Sequence, residues 1–530
     1  MSRKFTPLLL CVCSGLLLGA AWPMLPFTPL IFFAFVPLLA LTDLQQNRSG
    51  YFGLLLLSLL IWNVITTWWV GNTTVPASGV AANVFNALLM SIPWMAYKST
   101  PKKWGSSLRY FSFIVCWLTF EYIHQQWELS WPWLTLGNVF ATHPGWIQWY
   151  EYTGTSGGSL WILLSNITIY GIWQKYKQTT LPLKTVLVKE AWKPLAIILL
   201  PMLVSMLIPA PKNSGTNISV VVVQPNIDPY DEKFTSGTVQ EQLAKFLKLT
   251  AQKLDSTTSY IIWPETALFP HGAWEEQLNS QSEVIAIREM LRKYPQAKLI
   301  TGAVTVKRYL DEVPPLARQL EDGTFYDPYN TALQIDTSQS IQIYHKYKLV
   351  PGVELVPYMR YLKFMGSLAL DFGGITGSYG REPGVSLFTD PVKQIKVFPT
   401  ICYESVYSEY VAAHVRNGAN LLVILTNDGW WGNTAGHKQH LQYARLRAIE
   451  TRRWVARSAN TGISAFIDPQ GNIHDPQPYW QEAVMKATVT TSTDFTFYVR
   501  YGDLISRGAL IFCILLIVYA IISRFIYNKQ

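Results

Sequence analysis

Charge is scarce in this chain. Asp, Glu, Lys and Arg make up 15% of its 530 residues, against 49% hydrophobic, a balance that excludes an ordinary soluble globular protein. Cysteine is scarce as well. Of the five cysteines, Cys11, Cys13, Cys116 and Cys513 lie inside long apolar runs, and Cys402 alone stands in a polar stretch. The polar part therefore has no partner for an internal disulfide. In an oxidising compartment, an unpaired thiol is a liability unless it has a use. There is no basic stripe interleaved with aromatics in the polar part, which sets nucleic acid aside. His437 and His440 stand three apart on a predicted helix, but no HExxH or cysteine pattern accompanies them, so no metal site is expected. Internal repeats and low-complexity tracts are missing too.

What the chain does have is long apolar runs. Blocks at about 6–22, 24–43, 51–70, 77–97, 109–126, 155–173, 193–210 and 505–523 each approach the ~20 residues that cross a bilayer core. One such block could be a buried core helix. Eight of them, seven in the first two-fifths of the chain, predict a multi-span membrane domain. Basic residues alternate between the loops. Arg3, Lys4, Arg48, Lys98, Lys102, Lys103, Lys175, Lys177, Lys184, Lys189 and Lys193 fall on one side, while Gly71–Gly79 and Trp127–Gly154 contain neither Lys nor Arg. This matches the positive-inside rule with both termini cytoplasmic. The net charge of +9 is thus largely an orientation signal. The basic, apolar start mimics a secretory signal, but further spans follow at once, so it reads as an uncleaved first span. Three regions result: a seven-helix transmembrane domain over 1–211, an extracytoplasmic domain over 212–500 and a C-terminal span over 501–530.

The outward domain is long enough for one large α/β core. Strand-like runs recur at Ile218–Val223, Tyr260–Trp263, Leu299–Val304, Thr331–Ile335, Ile341–Tyr344, Ile395–Ile401, Leu421–Leu425 and Gly462–Ile467. Helical patterns cover Val239–Leu254, Gln277–Lys293 and His437–Arg453, with Arg445, Arg447, Glu450 and Arg453 expected on a salt-bridged helix face. Lys307–Tyr329 and Phe364–Pro383 read as mobile loops. In open α/β sheets ligands bind beyond the carboxyl ends of strands. There the chain places Glu265 after Trp263-Pro264, Lys346 after His345, Cys402 after Ile401, and the run Asn427-Asp428-Gly429-Trp430-Trp431. A carboxylate, an amine and a thiol at one sheet edge make a candidate nucleophilic site. Cys402 also opens Tyr403-Glu404-Ser405, a helix start whose dipole would favour the thiolate.

The order Trp263-Pro264-Glu265, then His345-Lys346 with Glu354 eight positions on, then Cys402-Tyr403-Glu404, resembles the nitrilase superfamily and its Glu-Lys-Cys triad. Further runs narrow the resemblance to the apolipoprotein N-acyltransferase family: Val222-Val223-Gln224-Pro225-Asn226-Ile227, Tyr329-Asn330-Thr331, Ser130 to Gly137 with its Pro-Trp-Leu, Asn427 to Gly432, and Arg457 to Ser464. The resemblance covers essentially the whole chain. It implies about eight transmembrane helices joined to an α/β nitrilase-like αββα sandwich. Two positions depart from the family pattern. The usual Pro-Phe-Gly-Glu reads Pro351-Gly352-Val353-Glu354, and an early tryptophan after lysine is matched by Phe234 after Lys233.

The resemblance further implies acyl transfer in two half-reactions. Cys402 attacks the ester of a membrane phospholipid, leaving a thioester that the α-amine of a diacylglyceryl apolipoprotein resolves. Glu265 is the implied base and Lys346 the oxyanion partner, with a backbone N–H such as that of Tyr403. Glu354 supports Lys346, Glu404 is mainly structural, and Trp263, Asn330, Asn427, Trp430 and Trp431 are candidate substrate-wall residues. No cofactor is implied, a monomer suffices, and the location is a bacterial inner membrane with the catalytic domain periplasmic. A membrane-tethered amidase or nitrile hydrolase, with water resolving the thioester, would use the same triad. A degenerate, non-enzymatic relative would be expected to have lost one of the three.

Overall fold

The computed structural model describes residues 6–72, 76–211, 215–233, 235, 237–359 and 378–527. Arg3, Lys4, Lys529, Phe234 and most of the expected loop 364–383 lie outside the described residues. The chain divides into two units: residues 1–71, 76–209 and 501–530 form one, and residues 72–75 and 210–500 the other.

The first unit is helical: α1 (Thr6–Ala21), α2 (Val36–Leu44), α3 (Arg48–Thr67), α4 (Pro76–Ser99), α5 (Gly105–His124), α6 (Tyr150–Gln178), α7 (Leu183–Glu190), α8 (Trp192–Leu207) and a final helix, Leu504–Tyr527. Among the described residues, four stretches are long and apolar enough to cross a membrane: Arg48–Gly71, Pro76–Ser99, Leu183–Leu207 and Leu504–Ser523. Thr6–Ala21 and Thr28–Leu44 are shorter apolar helices. The second predicted span is not one continuous helix. A 3₁₀ turn, Thr28–Phe32, precedes α2, and prolines at 26, 29 and 37 account for the break, since each lacks an N–H for the helical ladder. The Pro-Trp-Leu loop packs inward in part. Trp133 is buried with its ring 5.0 Å from that of Trp69, and the Leu136 N–H donates to the buried Glu121 carboxylate at 2.8 Å.

The second unit is a two-sheet sandwich. Its strands are β1 (Asn217–Gln224), β2 (Thr258–Ile262), β3 (Leu268–Trp274), β4 (Lys298–Tyr309), β5 (Arg318–Gln319), β6 (Phe325–Ile335), β7 (Gln342–His345), β8 (Phe388–Asp390), β9 (Ile395–Ile401), β10 (Leu421–Thr426), β11 (Val455–Ala459), β12 (Ala465–Ile467), β13 (Ile473–His474) and β14 (Ala483–Thr490). One sheet runs β14-β1-β2-β4-β6-β5, with β3 beside β4 and β7 beside β6; the other runs β13-β12-β11-β10-β9-β8. Helices α9 (Val239–Ala251) and α10 (Ser282–Arg292) pack on the first sheet, α11 (Ser408–Arg416) and α12 (Ala435–Thr451) on the second.

Strand alternation explains the layers. On β1, Val220 and Val222 join the core shared by the two sheets, whereas Val221 and Val223 face α9 and α10. Side chains of period two on a strand buried on both faces must divide in this way. One expectation is corrected. The stretch 307–329 is largely sheet at its ends, because β4 and β6 pair in an eleven-residue antiparallel register from Leu299–Ile335 to Tyr309–Phe325. β14 shows no apolar run in the sequence because it is an edge strand of mixed burial. Arg447, Glu450 and Arg453, expected on a salt-bridged helix face, are buried. The Arg447 and Glu450 side chains pair at 2.7 Å, and Arg453 donates to the Ala419 and Asp494 carbonyls.

Candidate active site

The carboxyl ends of the parallel strands of both sheets carry the site. β2 ends at Ile262 and leads through Trp263-Pro264 to Glu265. In the other sheet β9, β10 and β11 lie parallel and lead to Cys402, Asn427 and Asn460. The sheets meet at these ends: the Asn427 N–H donates to Glu265 Oε2 at 3.1 Å, and the Asn226 N–H to the Asn460 carbonyl at 3.0 Å. Gly302 permits the approach on the β4 side. A Cβ there would lie 2.5 Å from Glu265 Cα, so only glycine fits.

β6 and β7 supply the amide and the amine. The Lys346 N–H donates to the Asn330 carbonyl at 2.8 Å, which continues the ladder one step past β7. Asn330 keeps the strand parity of Ala332, and Lys346 that of Tyr344, and both of those apolar residues belong to the core between the sheets. Alternation therefore sends both polar side chains inward.

Four side chains close into one cluster. Lys346 Nζ donates to Glu265 Oε1 at 3.1 Å and to Glu354 Oε1 at 2.9 Å. Asn330 Nδ2 donates to the same two oxygens, each at 2.9 Å. Glu354 Oε2 accepts the Val350 N–H at 2.9 Å, so the displaced glycine of Pro351-Gly352-Val353-Glu354 leaves the carboxylate in contact with Lys346. Lys346 is almost wholly buried, 1% exposed. Burial opposes its charge, but the Glu265 and Glu354 carboxylates outweigh that and hold the ammonium well above the usual lysine range. It is a fixed cation.

Cys402 sits at the end of β9 with φ +48°, a left-handed conformation that costs an L-residue about 1–2 kcal/mol. The turn is held by Glu404, fully buried. Its carboxylate accepts the Ile401 N–H at 2.9 Å, the Tyr347 N–H at 2.8 Å and the Tyr344 hydroxyl at 2.8 Å. Glu404 thus binds the Cys402 turn to the segment that carries Lys346. Tyr403 is buried, with its ring 5.2 Å from Tyr407. The expected helix-dipole activation is corrected: a short 3₁₀ turn, Cys402–Val406, follows the cysteine, and α11 begins only at Ser408. Burial pushes the thiol pKa up, with Glu265 adding to the rise and Lys346 opposing it. The environment therefore favours the thiol form of Cys402.

Behind the turn lies a buried polar chain. Arg457 Nη2 donates to Asp428 Oδ2 at 2.6 Å, Asp428 Oδ1 contacts His440 Nδ1 at 2.9 Å, and His440 Nε2 faces the Ser405 hydroxyl at 2.9 Å and the Cys402 carbonyl at 3.2 Å. Burial works against the Asp428 charge, but Arg457 and His440 hold the carboxylate well below its usual range. His440 thus supports the backbone of the Cys402 turn. Among the described residues no group of three or more His, Cys, Asp or Glu side chains could hold a metal.

The candidate wall residues divide. Asn330 Oδ1 and Asn427 Nδ2 are buried with no hydrogen-bond partner among the described residues, next to Glu265. Trp430 packs edge-on against Tyr230 at 5.2 Å, and Trp431 lies with its ring 6.0 Å from His440. Trp263 goes elsewhere. Its parity is that of Ile261, so its ring enters the core beneath α9, stacked 4.6 Å from Phe246, and its Nε1 donates to Thr250 at 2.9 Å. That placement makes it a core residue. Lys233, which the sequence marks only as the lysine before Phe234, is buried, and its Nζ donates to the Glu265 carbonyl at 3.2 Å. Its setting, Asp231-Glu232-Lys233, contains no apolar run that would signal burial.

Comparison with known proteins agrees with this architecture. Residues 219–494 match the carbon-nitrogen hydrolase family, and residues 14–168 match the apolipoprotein N-acyltransferase N-terminal domain. A Chlorobaculum tepidum protein described as apolipoprotein N-acyltransferase is 31% identical over 520 residues, 95% of this chain and 94% of its own. One from Geobacter metallireducens, so described, is 27% identical over 93% of this chain and 91% of its own. Among solved structures, Saccharomyces cerevisiae Nit3, a member of branch 10 of the nitrilase superfamily, aligns with 56% of this chain and 97% of its own at 16% identity and a TM-score of 0.36.

Proposed function

This chain belongs to the apolipoprotein N-acyltransferase family, and on that premise we propose that it moves an acyl chain from a membrane phospholipid to the N-terminal amine of a diacylglyceryl-cysteine lipoprotein by way of a Cys402 thioester. This would be the last step of bacterial lipoprotein maturation. The observation that carries the reading is the cluster of Glu265, Lys346, Glu354 and Asn330 at the same strand ends as the only cysteine of the second unit.

In the first half-reaction Glu265 takes the thiol proton as Cys402 sulfur attacks the ester carbonyl. Charge develops on the carbonyl oxygen, where Lys346 and the Tyr403 N–H stabilise it. The tetrahedral intermediate collapses with cleavage of the ester C–O bond, and Glu265 returns its proton to the departing lysophospholipid alkoxide. In the second half-reaction the neutral α-amine attacks the thioester, Glu265 takes a proton from nitrogen, and the C–S bond breaks. Glu265 then reprotonates the sulfur, so no net proton is consumed. Glu354 and Asn330 hold Lys346 and Glu265 in register throughout. Asn330 Oδ1 and Asn427 Nδ2 offer an acceptor and a donor to the bound substrate, while Trp430 and Trp431 line its apolar part. We place the enzyme in the bacterial inner membrane, with the catalytic domain periplasmic and both termini cytoplasmic.

The test is intact-mass analysis of the purified protein after incubation with phospholipid vesicles and no acceptor. A hydroxylamine-labile gain of one acyl chain, absent from Cys402→Ala and discharged by a diacylglyceryl peptide, is the expected result. A folded protein that never gains the adduct but hydrolyses small amides would instead establish an amidase.

A further inference from the structure

Glu265, Lys346 and the supporting Glu354 bring two carboxylates and one ammonium to the site, and that set does not balance. Glu265 and Glu354 share the single cation Lys346, which leaves one negative charge in a buried site. The other charged groups near Cys402 do not supply the balance. Asp428 is paired with Arg457 at 2.6 Å, and Glu404 is met by the Ile401 and Tyr347 N–H groups and the Tyr344 hydroxyl, with Lys346 and Lys348 as the cations in its field. Uncompensated negative charge would oppose both formation of the thiolate and growth of an oxyanion.

Lys233 supplies the missing charge. It comes from the loop after β1, is 3% exposed, and reaches the segment that positions Glu265. Of its three ammonium N–H donors, one hydrogen bond is made among the described residues, to the Glu265 carbonyl. A buried cation with a single neutral partner is costly, and is kept where its field acts on something else. The two charges it acts on most are Glu265 and Cys402.

We propose that Lys233 is a positioning residue of the reaction, the second cation of the site, which neutralises the excess carboxylate charge and lowers the cost of ionising Cys402. The balance holds through the chemistry. At rest, two carboxylates face two ammonium groups. When Glu265 takes the thiol proton and the carbonyl oxygen becomes an oxyanion, one carboxylate and one oxyanion face the same two ammonium groups. Without Lys233, both states carry a net negative charge. Burial lowers the Lys233 pKa to about 8, although Glu265 and Cys402 act to raise it. It therefore carries its proton through the neutral range.

This rests on Cys402 being the reacting thiol, but its test does not need acyl transfer. Cys402 in the full chain is alkylated with iodoacetamide across a pH series, and modification is followed by peptide mass mapping in the wild type, Lys233→Met, Lys233→Gln and Lys233→Arg. The Gln variant keeps a donor for the Glu265 carbonyl and removes the charge. In Met and Gln, alkylation at pH 7, where wild-type Lys233 carries its proton, should be about tenfold slower, tenfold in thiolate being one pH unit of thiol pKa. Arg should stay within about threefold of wild type, since it retains the charge. A Gln variant alkylated at the wild-type rate at pH 7 overturns the proposal whatever its melting temperature, because a purely structural clamp leaves the thiolate fraction alone. If the Met variant does not fold, Gln and Arg carry the comparison. Slowed alkylation at pH 7 in a protein that gains no acyl group from phospholipid would sink the acyl-transfer reading and leave this one standing.

Discussion

At the residue scale the site is a problem of holding charges in a place where water cannot. Lys346 has two carboxylate partners, and Asn330 bridges the same two oxygens with one amide nitrogen. Removing one partner from such a cluster is costlier than its share of the contacts, because the remaining charge stays buried. Glu354→Gln keeps the shape and deletes one charge. Lys346 then rests on Glu265 alone, which ties the ammonium to the base and away from the oxyanion. The expected result is a fall in the rate of acyl-enzyme formation of about 10- to 100-fold, with phospholipid KM little changed. A variant with wild-type turnover would show that Glu354 is only an ion-pair partner.

At the element scale, α11 shows how the second sheet is covered. Its residues Val411, Ala412 and Val415 enter the core, and His414 goes with them. The His414 ring stacks on Phe398 of β9 at 3.7 Å and its Nδ1 meets the Tyr410 carbonyl at 2.9 Å. Its Nε2 is buried without a hydrogen-bond partner among the described residues, so a second proton finds no acceptor there. Burial lowers its pKa from 6.5 to about 4, with the Tyr410 carbonyl acting the other way. Between those values the unfolded chain binds a proton that the native helix refuses. Stability is therefore full above about pH 6.5 and lost as pH falls toward 4. Denaturant unfolding of the full chain in detergent should lose about 2 kcal/mol from this residue between pH 7 and pH 5. His414→Phe should flatten that slope, and an unchanged slope would remove His414 as its cause. The same element scale explains β3, β5 and β14, which pairing creates and composition does not announce. β14 gains its identity from eight residues of antiparallel register with β1.

At the scale of the whole molecule, the alternation of basic loops predicts an orientation. With cytoplasmic termini, a cysteine placed by Glu128→Cys should react in intact cells with a membrane-impermeant maleimide, and one placed by Lys103→Cys should react only after lysis. The reverse pattern would invert the topology and put Cys402 in the cytoplasm. The number of spans is a separate matter. Four stretches meet the length and hydropathy of a crossing helix, while α5 carries Arg109 and Glu121 and α6 bends at Gly154, where φ is +62°. The Glu121 carboxylate meets partners within the protein, accepting from the Trp117 ring N–H and the Leu136 N–H.

What the sequence by itself determined is whatever depends on local order. Apolar blocks and basic loops established a membrane protein. Period-two runs located the central strands, and Glu265, Lys346 and Cys402 could be picked out because each follows the end of a buried strand. What only the tertiary structure decided depends on which face a residue takes and who meets it there. Trp263 turns to the core because it keeps the parity of Ile261. Arg447, Glu450 and Arg453 read as a salt-bridged helix face, and only the fold shows that they are buried against their partners. Lys233 lies in a charged run and yet closes on Glu265. A chain records the polarity of a residue, but the balance of charge in a buried site is set by groups brought from β1, β2, β6, β7, β9 and β10 at once.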